Sequence, residues 1–208
     1  MTEHPPAIFI ADAPALDFLN SIATPVDTPV EWIDSGVGLL AWLGQTDLVP
    51  GEVLARFRRQ SMPGELDGVA AQARTLREWF RGFVRSHMGG PLETRHLREL
   101  EPLNRLLERD EGFGRIVASR EDSTGAFAYE ATRRWRSPES LLLPIGEVLA
   151  ELVCEQDFSY VKACEGAACT LMFADRTRGR GRRWCSMSIC GNRAKVAAHR
   201  KRAKDVAA

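Results

Sequence analysis

Four of the five cysteines form two equal pairs. Cys164 and Cys169 enclose Glu-Gly-Ala-Ala, and Cys185 and Cys190 enclose Ser-Met-Ser-Ile, with fifteen residues between the pairs. Zinc is held tetrahedrally by thiolates at about 2.3 Å, and a short turn can aim two thiolates at one point. Two such turns complete the tetrahedron, and the spacing follows the general zinc pattern of paired cysteines. Disulfides, unpaired core thiols and an iron–sulfur cluster are the alternatives. A reducing cytoplasm disfavours disulfides. Matched thiols in the most polar part of the chain are poor core residues, and clusters favour closer C-x2-C runs. The expected cofactor is therefore zinc on Cys164, Cys169, Cys185 and Cys190. Cys154 falls within an apolar helical pattern and is expected to be a small buried hydrophobe.

Cations gather around these thiols. Residues 161–208 hold 12 Lys and Arg against 3 Asp and Glu, a charge of +9, which leaves −9 on the remainder of a formally neutral chain. Arg176, Arg178, Arg180, Arg182 and Arg183 lie in RTRGRGRR, where interleaved glycines make a loop that can drape over phosphates. Arginine forks pair bidentately with phosphates and guanine edges. Arg193, Arg200 and Lys204 share one face of a helix, with Lys201 beside them and Lys195 in the same segment. Such a helix suits the major groove and such a loop the backbone. The bland alternative is a solvated tail, but five arginines in eight residues exceed what solubility needs.

Other chemistry is thin. The four histidines (His4, His87, His96, His199) are scattered, and there is no phosphate loop, HExxH or Ser/His/Asp order. A metal-dependent nuclease, with His199 and Asn192 near the thiols, needs an open metal position or a second acidic site. Four thiolates close the metal, and Asp175 is the only acidic residue between 166 and 204. The chain is thus not expected to be an enzyme. Asp17 and Asn20, three apart in an apolar opening, read either as a ligand pocket or as structural hydrogen-bonding groups; buried polar groups are usually satisfied structurally.

The elements that must position these residues follow from periodicity. In the finger, a strand at 160–163 enters the first cysteine pair and one at 171–173 leaves it. Ser186 or Ser188 caps a helix to about Lys204 with Cys190 in its first turn. Knuckle, hairpin and helix make a treble-clef-like module. Burial alone is a weak source of stability for this 48-residue basic segment. Metal binding supplies roughly 10–16 kcal/mol in zinc-finger peptides. Gly191 is expected to allow close packing near the metal, Asn192 to cap or hydrogen-bond locally, and Trp184 to pack the finger.

Upstream, a short strand at about 7–10 leads through Ala13-Pro14 into a short helix, and 24–34 reads as loop. Short helices follow, one ending near Gly44 and one after Pro50-Gly51. The clearest helix spans 66–88: Leu66, Val69, Ala73, Leu76, Phe80, Phe83 and Val84 form its apolar stripe, with Arg74, Glu78, Arg81 and Arg85 largely off it. A helical pattern over 92–109 is broken by Pro102. Strands at 113–119 and 126–132 flank the turn Glu121–Gly125. A last body helix covers 144–155, with Pro144 in its first turn. The body is a mainly helical α+β domain with a small β-sheet over 1–157, followed by the finger over 158–208. Its stripes predict a body that folds alone, although the short linker Glu155–Ser159 implies some packing between the two.

Composition agrees. With 208 residues, 44% hydrophobic and 27% charged, wholesale disorder is excluded. No apolar run approaches the roughly 18 residues of a membrane span. The opening MTEHPPAIFI lacks a secretory pattern, so the expected location is the cytoplasm.

CEGAAC, Phe173-Ala174-Asp175 and RRWCSMSICGNRAK, which contains CGNR at Cys190–Arg193, resemble the CGNR zinc finger family. ALDFLNS, around Leu16-Asp17-Phe18-Leu19-Asn20, resembles the opening of the ABATE domain that accompanies that finger. The resemblance implies a bacterial, stress-linked transcription regulator: a DNA-binding finger joined to a sensory or structural domain. RNA or a protein is the alternative partner, with the N-terminal domain sensing a small ligand. Oligomeric state is not legible.

Overall fold

A 23-residue helix, α4 (Glu65–His87), is the axis of the body. Its acidic first turn (Glu65, Asp67) and basic last turn (Arg85, His87) both oppose the helix dipole. The computed structural model describes residues 5–24, 28–119 and 126–206, and for residues 198, 201 and 203–206 the backbone only. α1 (Pro14–Leu19) and α2 (Gly36–Leu43) pack on α4, α3 (Gly51–Gln60) packs on α2, and α6 (Leu142–Glu155) packs on α1 and on α5 (Glu101–Leu107). Ser35 caps α2 by accepting the Gly38 N–H at 3.1 Å. A Cβ on Gly36 would lie 2.4 Å from the Leu66 Cβ, so α2 meets the start of α4 at a distance only glycine permits.

The 92–109 pattern divides as its proline requires: a 3-10 turn (Thr94–Leu100) precedes α5, with Pro102 in the first turn, where no N–H is needed. Pro144 likewise sits in the first turn of α6.

The fold is mainly helical α+β, and its strands form three antiparallel pairs among the described residues, two in the body and one in the finger. β1 (Ile22–Ala23) pairs with β2 (Val30–Glu31), which places a strand inside the segment read as loop. β3 (Gly112–Ala118) pairs with β4 (Phe127–Arg133) from Gly112↔Arg133 to Ala118↔Phe127; the expected turn Glu121–Gly125 lies outside the described residues. β5 (Val161–Ala163) pairs with β6 (Met172–Ala174). α7 (Asn192–Val206) ends the description.

Three further expectations change. No strand forms at 7–10. Instead the Ile10 and Ala11 N–H groups each donate to Asp17 Oδ1 at 3.0 Å, and the Ala11 carbonyl accepts the Ala174 N–H at 2.8 Å. Cys154 is exposed. It stands two positions past buried Leu152, about 200° around α6, where the helix has turned away from the core. Arg81, read as off the apolar stripe, is buried, as is Arg77. Arg77 grips the Glu31 carboxylate with both terminal nitrogens, at 2.7 and 2.5 Å, and donates to Ser21 Oγ at 2.9 Å. Arg81 donates to the Leu19 carbonyl and pairs with Glu78 at 3.0 Å. A buried guanidinium needs such partners. Together they tie α4 to the corner that follows α1.

Body and finger share one core. Leu171, Met172, Phe173 and Ala174 are buried with α1 and α6. No helix of the described residues is long and apolar enough to cross a membrane.

Candidate zinc centre and basic face

The first knuckle hangs between β5 and β6. The Cys164 N–H donates to the Leu171 carbonyl at 2.9 Å and closes the hairpin. Cys164 Sγ accepts N–H groups from Gly166 at 3.4 Å and from Cys185 at 3.2 Å. These bonds aim the thiol and link the two cysteine pairs. Ser186 then accepts the Ile189 N–H at 3.4 Å and starts a π-helical turn, Met187–Gly191. Cys190 sits in that turn, one element before α7 rather than inside it. Asn192 ends the turn through its backbone N–H, which donates to the Met187 carbonyl. The close approach expected at Gly191 occurs at Gly166: a Cβ there would lie 3.0 Å from Cys190 Sγ and 3.1 Å from the Cys169 Cβ. At Gly191 the near neighbour is the flexible Met187 side chain. Trp184 packs against the core, as its type and place predict, with Arg183 5.0 Å over its ring.

All four sulfurs lie within 4.8 Å of one another. Cys169 and Cys185 are 3.8 Å apart, and Cys185 and Cys190 3.6 Å. A tetrahedron with 2.3 Å metal–sulfur bonds has edges of about 3.8 Å, so the set fits zinc. Crowding splits the thiol acidities. The hydrogen bond from Cys185 brings Cys169 down to about 5. That same bond, with burial, pushes Cys185 far up, and burial holds Cys190 at about 11. Four thiols this close ionise together only with a cation among them, and zinc binding releases their protons.

Two family models match this chain. One, ABATE, is described as "Putative stress-induced transcription regulator" and covers residues 12–156; the other is the CGNR zinc finger, over residues 160–203. The chain belongs to the ABATE family, with a CGNR zinc finger following. No curated relative matches it. Zinc on the four cysteines is thus supported by both the family and the geometry.

The basic loop of this CGNR finger is folded around one carboxylate. Asp175 is completely buried. It receives Lys162 Nζ at 2.7 Å, the Thr177 hydroxyl at 2.6 Å, the Thr177 N–H at 3.1 Å and the Arg182 N–H at 2.9 Å. Burial pushes its carboxyl up, but these donors outweigh burial and hold it well below the usual carboxylate range. Sequence reasoning used Asp175 to argue against a nuclease and as the end of the Phe173-Ala174-Asp175 motif, not as a counter-charge. Its signal was a lone acid among cations, which is what a counter-charge looks like.

The five loop arginines therefore divide. Arg182, expected among the phosphate-binding residues, instead turns inward. Its guanidinium pairs with Asp12, donates to the Ile10 carbonyl at 2.8 Å, the Trp184 carbonyl at 3.0 Å and the Cys185 carbonyl, and lies 4.2 Å over the Phe173 ring. Four of the fork's five N–H donors have partners within the protein. Arg180 bonds the Asp175 carbonyl and lies 4.3 Å over Tyr160. Arg183 pairs with Glu165 at 2.5 Å at the surface. Arg176 and Arg178 are exposed, and neither side chain is bonded among the described residues. On α7, Arg193 donates to the Ile189 carbonyl at 3.1 Å and so braces the turn that holds Cys190. Lys195 and Arg200 are exposed, as is Arg202, which sequence reasoning passed over. The side chains of Lys201 and Lys204 lie outside the described residues.

Asp17 and Asn20 are structural. The Asn20 amide donates to the Met172 carbonyl at 2.8 Å, and its oxygen accepts the Met172 N–H at 3.0 Å. One body side chain thus pairs with a finger strand as another strand would. Asp17 accepts two N–H groups, while burial raises its carboxyl to about 6.

Proposed function

We propose that the protein is a cytoplasmic DNA-binding transcription regulator, without enzymatic activity, that reads DNA through the loop and helix of its zinc finger. The observation that carries the reading is the division of the cations. Asp175 and the inward Arg182 give the loop a fixed shape, and Arg176, Arg178, Lys195, Arg200 and Arg202 stay exposed on it and on α7. Cations left exposed on a rigid frame suit a polyanion. A 15-residue helix such as α7 suits the major groove.

The test is the salt dependence of duplex binding by the zinc-loaded protein. Each phosphate contact contributes a slope of about −0.9 in log K against log salt. The paired change Arg176→Ala and Arg178→Ala is expected to flatten the slope by up to about 2 and to weaken all sequences alike, with zinc content unchanged. Binding independent of salt, or untouched by the pair, refutes the reading. Binding to RNA with none to duplex DNA moves the partner class to RNA.

A further inference from the structure

A cavity of about 590 Å³ opens where the β3–β4 hairpin leaves the body. Its walls are aromatic and acidic. Phe113, Tyr129 and Trp135 supply rings, and Asp47, Asp110 and Glu147 supply carboxylates against a single cation, Arg133. That leaves two negative charges in excess. Arg133 reaches Asp110 at 2.8 Å and also pairs with Glu147. The Asp110 contact joins Arg133 Nη1 to Asp110 Oδ2 without hydrogen-bond alignment, and the buried Asp110 Oδ1 and Arg133 Nη1 have no hydrogen-bond partner among the described residues. Two rings of this wall already attract guanidinium groups: Arg133 lies 5.7 Å over Trp135 and Arg134 lies 5.0 Å over Phe113. Tyr129 is the ring without such a partner among the described residues, and it is 77% exposed.

Exposed apolar side chains gathered around one cavity, unlike singly scattered ones, mark an interaction site. Ring faces attract cations, carboxylates complement them, and the volume is that of a drug-sized ligand site. Phosphate-bearing ligands are disfavoured by the excess negative charge. We propose that this cavity binds an organic cation with an apolar body, of the quaternary ammonium or phosphonium type. The ligand's apolar groups lie against Tyr129 and Phe113, and its charge faces Asp47, Asp110 and Glu147. The site lies wholly in the ABATE segment and does not depend on the finger binding DNA.

The experiment titrates the full zinc-loaded chain by calorimetry with tetraphenylphosphonium and, separately, with tetraphenylborate, which has the same shape and the opposite charge. The phosphonium is expected to bind one per chain, at least tenfold more tightly than any borate binding at this cavity. Tyr129 is exposed, so Tyr129→Ala leaves the fold and zinc content intact. It is expected to weaken phosphonium binding about fivefold and to leave any borate affinity unmoved. Asp47→Asn, also at an exposed position, is expected to weaken the phosphonium two- to threefold. No phosphonium binding overturns the proposal, as does equal affinity for both ions or undiminished phosphonium binding in Tyr129→Ala.

Discussion

Two hairpins of this molecule invert the usual relation between strand length and burial. β3–β4 pairs seven residues on each strand, yet Ile116, Phe127 and Tyr129 are 75%, 84% and 77% exposed. β5–β6 pairs three, and all of β6 is buried. A backbone hydrogen bond contributes only about 1 kcal/mol net, and an isolated hairpin is marginal in water. Ladder length therefore does not decide which hairpin is fixed. The short one is held from outside its ladder: a metal knuckle at one end, the Asn20 amide on its edge, and Arg182 across Phe173.

Removing those outside supports is the way to break the contrast. Cys185→Ser is expected to have the largest effect, because metal binding is folding free energy on the order of 10–16 kcal/mol in finger peptides. Elemental analysis should find zinc lost, and the finger should unfold. The exposed Cys154→Ser should keep one zinc per chain.

Ending the chain after Asp157 comes next. Sequence periodicity predicts a body that folds alone, but the shared core argues otherwise. Phe158, Leu171, Met172 and Phe173 are buried with the body, at about 1.5–3 kcal/mol for each large side chain. That sum approaches a whole domain's stability of about 5–15 kcal/mol. The shortened chain should lose its cooperative unfolding transition by circular dichroism; a sharp transition would restore the independent body.

Asp175→Ala strands Lys162 and the loop N–H groups and should cost about 3 kcal/mol in denaturant unfolding. The pH dependence has a definite sign. The folded carboxyl is held below its unfolded value of about 3.9. Its contribution is full above that value and is lost as pH falls through and below it, because the unfolded chain takes the proton first. The variant should lack that acid-side loss.

Asn20→Ala leaves the Met172 N–H and carbonyl buried without partners and should cost about 1–3 kcal/mol by the same measurement, with zinc retained. The exposed hairpin marks the lower end: Phe127→Ser should change stability by no more than about 0.5 kcal/mol.

What the sequence made legible follows from how local each signal is. The zinc ligands were readable because type and spacing sit within 27 residues. α4 and α6 were readable because 3.6-residue periodicity persists over many turns. β1 and β2 were not, since two residues hold no period. The interior roles of Arg182 and Asn20 were hidden because their partners lie 170 and 152 residues away in sequence, at Asp12 and Met172. The exposure of β3–β4 was hidden for another reason. Alternating apolar residues announce a strand but not whether anything covers it.

The pairing of Asn20 with Met172 also bears on how such a gene can be cut and rejoined. A recombination break in the linker between α6 and β5 looks harmless on a domain map, yet it separates the two halves of one hydrogen-bonded edge. The finger arrives at any new host with an edge that expects an amide, and the body it leaves behind keeps an amide that expects an edge. A finger grafted elsewhere must bring the α1 corner with it or find a host that already has one.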